Sequence, residues 1–399
     1  MNRKRILFVY PSMIIGGSTS NLLSLLNCLN SDEYEISLVL KRNEGMLLDA
    51  IPNNVRVLPE AIKTRGAWYK LKFIVLLFLT GYGLKAYLAN RRIHEPGMSK
   101  QILSDFVAKF LSKRQTDTYD YAVGGLEGWA DRYVAFRVNA KVKCGWIHSV
   151  IDKIGADPEL EYEWMRKVDH VISVSETCNN RLKQIMPEVK EKAVYLENIM
   201  DTAVVRQRAM MEDDNDTVFQ ELLKYRGFKI ISVCRLTMHV KGLDRMVWAA
   251  EILKEEGYDF RWIIVGDGED RHKLEQMICE HDVADRMILA GKRSNPYPFI
   301  KNCDVMCMPS RWEGMPIVVT ESKMLGIPPI VTRYLSVDEQ IKEGIEGYIV
   351  ENTDTAIIDA LRACMDHTDD MRRISKCLLE QEYGNRAYIQ TVEEILFHE

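Results

Sequence analysis

Two glutamates separated by seven residues, Glu313 and Glu321, bound the stretch Glu313-Gly-Met-Pro-Ile-Val-Val-Thr-Glu321. Gly314 and Pro316 open a helix between them. The first turn of a helix presents unpaired N–H groups, which attract phosphate oxygens. A carboxylate just ahead of that turn, Glu313, can accept hydrogen bonds from sugar hydroxyls. One two turns on, Glu321, can accept both hydroxyls of a ribose. Helix capping by Glu313 alone would leave the second glutamate and the glycine without a reason. Upstream, Arg235-Leu-Thr-Met-His-Val-Lys241-Gly242 sets two cations six positions apart between a strand and a helix. Cations fixed there clamp a diphosphate and stabilise the charge that builds on a leaving nucleoside diphosphate. The plainer alternative is a salt-bridged surface pair.

Two glycine turns follow apolar runs. Gly16-Gly17-Ser18 lets an anion approach backbone N–H groups at a helix start; a tight turn with no ligand is the other reading. Gly266-Asp-Gly268 has the same setting but lacks the third glycine of a dinucleotide fingerprint, because Arg271 stands in its place. It also falls late in the chain, so a nicotinamide dehydrogenase is not supported.

These residues need a scaffold that brings loops from distant parts of the chain to one edge. Ile6–Tyr10, apolar throughout, reads as a parallel strand covered on both faces. Leucines at 22, 23, 25, 26 and 29 give a helical spacing over 18–30, and 36–40 reads as the next strand. Further short strands are expected at 55–58, 121–123, 143–147, 170–174 and 192–196, with a helix over 176–186. After the acidic interruption Glu212–Asp216 the alternation restarts. Strands are expected at 229–233, 261–265, 286–289, 305–308 and 329–332, with helices at 242–256 and 271–280. The order predicts two Rossmann-like doubly wound α/β domains facing across a cleft. The expected division is 1–200, 201–384, and a helical stretch 385–399 that crosses back to the first domain.

The composition sets limits. The chain has 399 residues, 47% hydrophobic and 28% charged, with a net charge of −5. This excludes a disordered chain and argues against a general nucleic-acid binder. The nine cysteines form no Cys-x-x-Cys pair, as suits a reducing cytosol. The basic start Met1–Arg5 is followed by only five apolar residues before Pro11, which reads as a strand rather than a signal peptide. Charge is concentrated: residues 61–114 carry eleven basic side chains against two acidic ones, around the apolar run 73–79. That run is too short to span a bilayer. Lys70, Lys72, Phe73, Lys85, Arg91 and Arg92 fit a helix lying on an anionic membrane surface. A buried helix with solvated lysines stays open beside it.

Taken in order, the pieces resemble the GT4-type retaining glycosyltransferases of GT-B fold. They are the Gly16-Gly17 loop, Trp146-Ile-His148, Ser173-Val-Ser-Glu176, Asn198-Ile-Met-Asp201, Arg235…Lys241-Gly242, Gly266-Asp-Gly268 and Glu313-x7-Glu321. Gly124-Gly-Leu-Glu127-Gly128 and Thr332–Gln340 resemble the bacterial surface-polysaccharide branch of that family. The resemblance implies transfer of a hexose-type sugar from a nucleoside-diphosphate donor, UDP-sugar favoured, with retention at the anomeric carbon. The acceptor would be a glycan or lipid-linked glycan. It implies that His148, Arg235, Lys241 and Glu313 are catalytic, His148 touching the donor sugar. Gly314, Met315, Pro316 and Ile317 would meet the phosphates, Glu321 the ribose, and Gly291 and Lys292 the base. Gly16, Gly17 and Gly266 would complete the donor site, and Glu127 would stand on the acceptor side. No metal or other cofactor is expected, since the cationic side chains take the metal's place. The implied location is the cytoplasm, at the inner face of the membrane. A GT-B-like epimerase or phosphorylase, or a catalytically silent scaffold, are the alternatives. Ser322-Lys323 and Met315 depart from the family's usual small and aromatic residues there.

Overall fold

The computed structural model describes residues 3–62, 67–91, 96–153, 157–211, 213 and 215–397; the side chains of 67–70, 88–91 and 96–100 lie outside that description. The apolar runs of the first half form seven parallel strands: β1 (Lys4–Tyr10), β2 (Tyr34–Leu40), β3 (Val55–Val57), β4 (Thr118–Gly124), β5 (Asn139–Ile147), β6 (His170–Ser173) and β7 (Ala193–Tyr195). They lie in the order β3-β2-β1-β4-β5-β6-β7. Ile6, Leu7, Phe8 and Val9 are fully buried, because each strand is covered on both faces and every second residue finds a different helix layer. The second half builds six: β8 (Phe228–Val233), β9 (Phe260–Val265), β10 (Met287–Gly291), β11 (Val305–Met308), β12 (Pro329–Thr332) and β13 (Tyr348–Val350), ordered β10-β9-β8-β11-β12-β13. All pairings in both sheets are parallel.

Contacts divide the chain into two units: Met1–Ile14, Ser18–Ile199 and Arg386–Glu399 in one, Ile15–Gly17 and Met200–Asn385 in the other. The final helix, Ile389–Phe397, belongs to the first unit, where the Phe397 ring meets Tyr34 and Tyr121. In the second unit the two sheet faces carry separate cores. One packs Leu243, Val247, Ala250 and Leu253 of helix Leu243–Glu255 over Ile230, Trp262 and Ile264. The other packs Ile317, Val319 and Met324 of helix Ile317–Met324 over Ile231, Ile263 and Met306.

In both sheets the strand order reverses beside the first strand, between β1 and β4 and between β8 and β11. Ligands of open α/β sheets bind outside the carboxyl ends at such reversals. The loops after β4, β5, β8 and β11 carry Glu127, His148, Arg235 with Lys241, and Glu313.

Asp216, the last residue of the acidic run, caps helix Thr217–Lys224. Asp216 accepts N–H bonds from Val218 and Phe219 and pairs with Arg293. The change of unit comes earlier, at Ile199–Met200. One strand, β13, has no counterpart in the sequence reading, since its three residues are only half-buried and too few to show a period.

Candidate functional site

The loop after β8 is shaped by what lies under it. Its backbone is tied down by Leu236 N–H to the Asp267 carbonyl (3.1 Å) and by Met238 N–H to Asp270 Oδ2 (2.6 Å). A Cβ on Gly266, at φ +144°, would overlap the Cys234 carbonyl, and one on Gly268 would overlap that of Leu236. The Gly266-Asp-Gly268 turn therefore serves first as a bed for the Cys234–Leu236 backbone. Gly242, in the left-handed region at φ +65°, ends helix Met238–Lys241 and starts Leu243–Glu255; a side chain there would strike the Pro309 carbonyl. Only glycine meets these positions without strain.

On this frame Lys241 Nζ lies 2.6 Å from Glu313 Oε1, and the same oxygen accepts from Ser310 Oγ at 2.6 Å. Burial would lower the lysine's pKa, but the Glu313 charge and hydrogen bond outweigh it and the net direction is upward, so the ammonium is secured. Arg235 is two-thirds exposed, its guanidinium 3.9 Å from Glu269, and it does not join the Lys241–Glu313 pair. The Glu313 loop is pinned from behind by a two-bond fork from Arg311 to Asp244 (2.9 and 2.7 Å). Ser336 Oγ donates to the Gly314 carbonyl, and Gln340 Nε2 to that of Pro316 (2.9 Å). Helix Ile317–Met324 then begins without a side-chain cap, the condition for an anion to cap it. Met315 is half-buried and Ile317 is turned into the core.

Glu321 lies inside that helix, 7% exposed, with Tyr297 Oη 2.7 Å from Oε1. Burial pushes its carboxyl upward, against the Tyr297 hydrogen bond. At the β10 end, Gly291 (φ +74°) gives its carbonyl to Gly266 N–H (2.9 Å), and Lys292 is exposed, 3.7 Å from Asp267.

In the turn after β1, a side chain on Gly16 would meet open space. Helix Gly17–Cys28 starts at Gly17, and Tyr10 Oη donates to Ser18 Oγ (2.7 Å). Glu127 sits in the turn after β4. Its two oxygens accept from His148 N–H (2.9 Å) and Ser149 Oγ. The His148 ring stacks on Trp146 (5.5 Å, 22°), and its Nε2 is buried without a hydrogen-bond partner among the described residues. Burial lowers the His148 pKa, against the pull of Glu127, so the imidazole is neutral at pH 7.

The basic segment of the sequence becomes helices Ala67–Leu79, Tyr82–Arg91 and Pro96–Phe106. Leu71, Ile74, Val75, Phe78, Leu79, Leu84 and Tyr87 are exposed, with Lys72 and Lys85 beside them. Phe73 differs from its expected surface role. Its ring packs edge-on against Phe106 at 5.5 Å, while Phe78, 81% exposed, takes the outward position. The period of the helix turns residue 73 toward the Tyr82–Ile102–Phe106 cluster. The side chains of Lys70 and Arg91, and all of Arg92, lie outside the described residues. No described helix is long and apolar enough to cross a membrane.

The sequence reading did not single out Tyr297, Ser149, Arg311, Asp244, Ser336 or Gln340. Each acts through a partner many positions away, although Arg311 lies inside the Glu313 motif and Ser336 and Gln340 inside the Thr332–Gln340 stretch.

Comparison with known proteins adds the following. Residues 213–377 match the family model Glycosyl transferases group 1. The amylovoran biosynthesis glycosyltransferase AmsK of Erwinia amylovora is 25% identical over 184 residues, 43% of this chain and 45% of that protein. The UDP-Gal:alpha-D-GlcNAc-diphosphoundecaprenol alpha-1,3-galactosyltransferase of Escherichia coli is 32% identical over 113 residues, 28% of this chain and 29% of that one. The chain spans about half the length, or less, of the curated relatives it matches first. Among solved structures, Anabaena Alr3699/HepE in complex with UDP and glucose superposes over 99% of both chains, with TM-score 0.69 and 15% identity. That likeness concerns the fold, two Rossmann-like units of the GT-B kind.

Proposed function

We propose that this chain is a group 1 glycosyltransferase that moves a hexose-type sugar from a UDP-sugar to a glycan or lipid-linked acceptor, with retention, in the synthesis of a cell-surface polysaccharide. One observation carries the reading. Lys241, held charged at 2.6 Å from Glu313, and Arg235 stand on loops at the strand reversal β8/β11, ahead of an uncapped helix. This is the equipment for a departing diphosphate: cations fixed before the reaction cost no reorganisation as negative charge develops.

In this reading Lys241 and Arg235 neutralise the β-phosphate as the glycosidic bond breaks. The backbone of Gly314, Met315 and Pro316 meets the phosphate oxygens, and Ile317 seats that backbone in the core. Glu313, already bound to Lys241, accepts donor-sugar hydroxyls with its remaining lone pairs. Glu321 binds the ribose, and the Gly291–Lys292 turn borders the base. In the first unit, neutral His148 offers its unpartnered Nε2 to a sugar hydroxyl. Glu127, holding the His148–Ser149 turn, stands on the acceptor side. Gly16 and Gly17 leave their backbone open to the donor. The cationic side chains supply what a metal would, so no cofactor enters the proposal. The exposed apolar face of helices Ala67–Leu79 and Tyr82–Arg91, flanked by Lys72 and Lys85, fits peripheral binding to an anionic membrane on the cytoplasmic side, where a lipid-linked acceptor would be met.

A panel of nucleoside diphosphates and their sugars, read by the rise in melting temperature, tests the donor assignment. UDP and at least one UDP-sugar should stabilise the protein, and product from an accepting glycan should keep the donor's anomeric configuration. A protein that no nucleoside diphosphate stabilises, or a product of inverted configuration, would defeat the reading.

A further inference from the structure

A carboxylate buried as deeply as that of Glu321 needs a partner to fix its orientation, and the structure supplies one from outside every sequence motif. Tyr297, in helix Tyr297–Lys301, is 5% exposed and places its Oη 2.7 Å from Glu321 Oε1. The tyrosine ring is covered in turn by the Arg208 guanidinium, 5.0 Å from the ring centroid. Arg208 cannot drift, since it donates to the Ser294 carbonyl (2.7 Å) while Asn295 Nδ2 donates to its own carbonyl (2.7 Å). Three side chains from three helices, Arg208 ending helix Thr202–Arg208, are thus linked in series, Arg208 over the Tyr297 ring and the Tyr297 hydroxyl on Glu321.

We propose that Tyr297 is a positioning residue for nucleotide recognition: its hydroxyl occupies Oε1 of Glu321 and so presents Oε2 to a ribose hydroxyl of a bound nucleoside diphosphate. The inference rests on the reading of Glu321 as the ribose ligand. A phenol has one proton to give, so the bond selects one oxygen and fixes the carboxylate rotamer. The charged and titratable groups facing Glu321 are Tyr297 and Arg208, and both favour its ionised form against burial. Lys323, on the same helix, is turned to Glu346 and the Gln340 carbonyl. The hydroxyl assigned to Oε2 is the 2′-hydroxyl, which a 2′-deoxyribose lacks, so the arrangement discriminates between the two sugars.

The test is calorimetric, on the full chain, with UDP, GDP, 2′-deoxy-UDP and inorganic diphosphate, from about pH 5 to about pH 9. The proteins are the wild type, Y297F, E321Q and the double variant. Y297F should weaken the ribonucleotide about tenfold, the size of one hydrogen bond to a charged group. It should hardly change 2′-deoxy-UDP or diphosphate, whose binding also reports that the variant is folded. The acid limb of ribonucleotide binding should move to higher pH in Y297F, because a lost bond to the anion raises the carboxyl's pKa. The limb should vanish in E321Q, and the double variant should be no weaker than E321Q. Equal losses for ribo- and deoxyribonucleotide in Y297F, or an unmoved acid limb, would overturn the inference and leave the functional reading standing. A wild type that binds no nucleoside diphosphate, or an E321Q indistinguishable from it, would bring down both.

Discussion

Lys241 stands under two opposing pressures, burial, which disfavours its charge, and Glu313 at 2.6 Å, which holds it. A cation poised in this way costs little to reorganise when a diphosphate arrives, since Glu313 can release it to the more highly charged group. Lys241→Ala should therefore lower kcat/KM for sugar transfer by about 2–4 kcal/mol. The loss should fall mainly on kcat, because the charge is needed most as the leaving group forms. Steady-state kinetics with the accepted donor check this, and an unchanged kcat would remove Lys241 from the mechanism. The pair was legible in the sequence because each member lies in a motif with its own local grammar, even though 72 positions separate them. Tyr297 was not, because nothing near it points to Glu321; the bond exists only once helices Tyr297–Lys301 and Ile317–Met324 pack on the same sheet face.

Elements show the same division between what local pattern reveals and what packing decides. The buried strands announce themselves as apolar runs, and the glycine turn after β9 announces a bend. Its purpose, to bed the Cys234–Leu236 backbone, depends on a neighbour 32 residues upstream and is visible only in the fold. Gly266→Ala should cost at least about 2 kcal/mol in unfolding free energy, since φ +144° is strained for any side chain and the Cys234 carbonyl blocks the added atom. Denaturant unfolding measures it, and a variant as stable as the wild type would show that the loop can give way. The helices of 67–91 are the opposite case. Their sequence suits a buried helix and an interfacial one equally, and what separates the two is which residues the first layer of packing leaves outside. Phe73 goes in and Phe78 stays out. Replacing Phe78 by Glu should release the protein from anionic vesicles, since burying one aromatic ring contributes about 1.5–3 kcal/mol and each lysine near the surface about 1 kcal/mol. Cosedimentation at low and high salt separates the two contributions, and nucleotide binding should be unaffected. A Phe78→Glu protein that still sediments would place the membrane contact elsewhere.

At the largest scale, the first unit encloses charges that no sequence motif marks as buried. Arg132, fully buried on helix Trp129–Arg137, lies 2.7 Å from Glu161 and 3.5 Å from Asp105, and Lys109 bridges Asp105 (2.8 Å) to Glu163 (2.7 Å). Each of those charges has an opposite charge beside it, but the adjoining Asp131 has no ion pair among the described residues. It is completely buried, accepts the Trp146 N–H at 3.0 Å through Oδ1, and leaves Oδ2 without a hydrogen bond among the described residues. Burial drives its pKa well above the ordinary carboxylate range, and the Trp146 N–H and Arg132 only partly oppose this. The consequence for stability has a definite sign. Between the unfolded value near 3.9 and the raised native value, the native state binds a proton that the unfolded chain has lost. Asp131's contribution to stability is therefore complete below about pH 4 and declines as pH rises, by about 1.4 kcal/mol per pH unit, until the native carboxyl ionises. Asp216 and Asp244, held low against burial by Arg293 and Arg311, act the other way and weaken the fold as pH falls. A comparison with Asp131→Asn cancels these terms. The amide keeps the acceptor for Trp146 and a donor where the acid proton was, with nothing to titrate. Denaturant unfolding at several pH values should show the variant gaining on the wild type steadily above about pH 4. A stability difference that is flat across that range would mean that Asp131 is ionised in the folded protein, with an environment other than the dry one described.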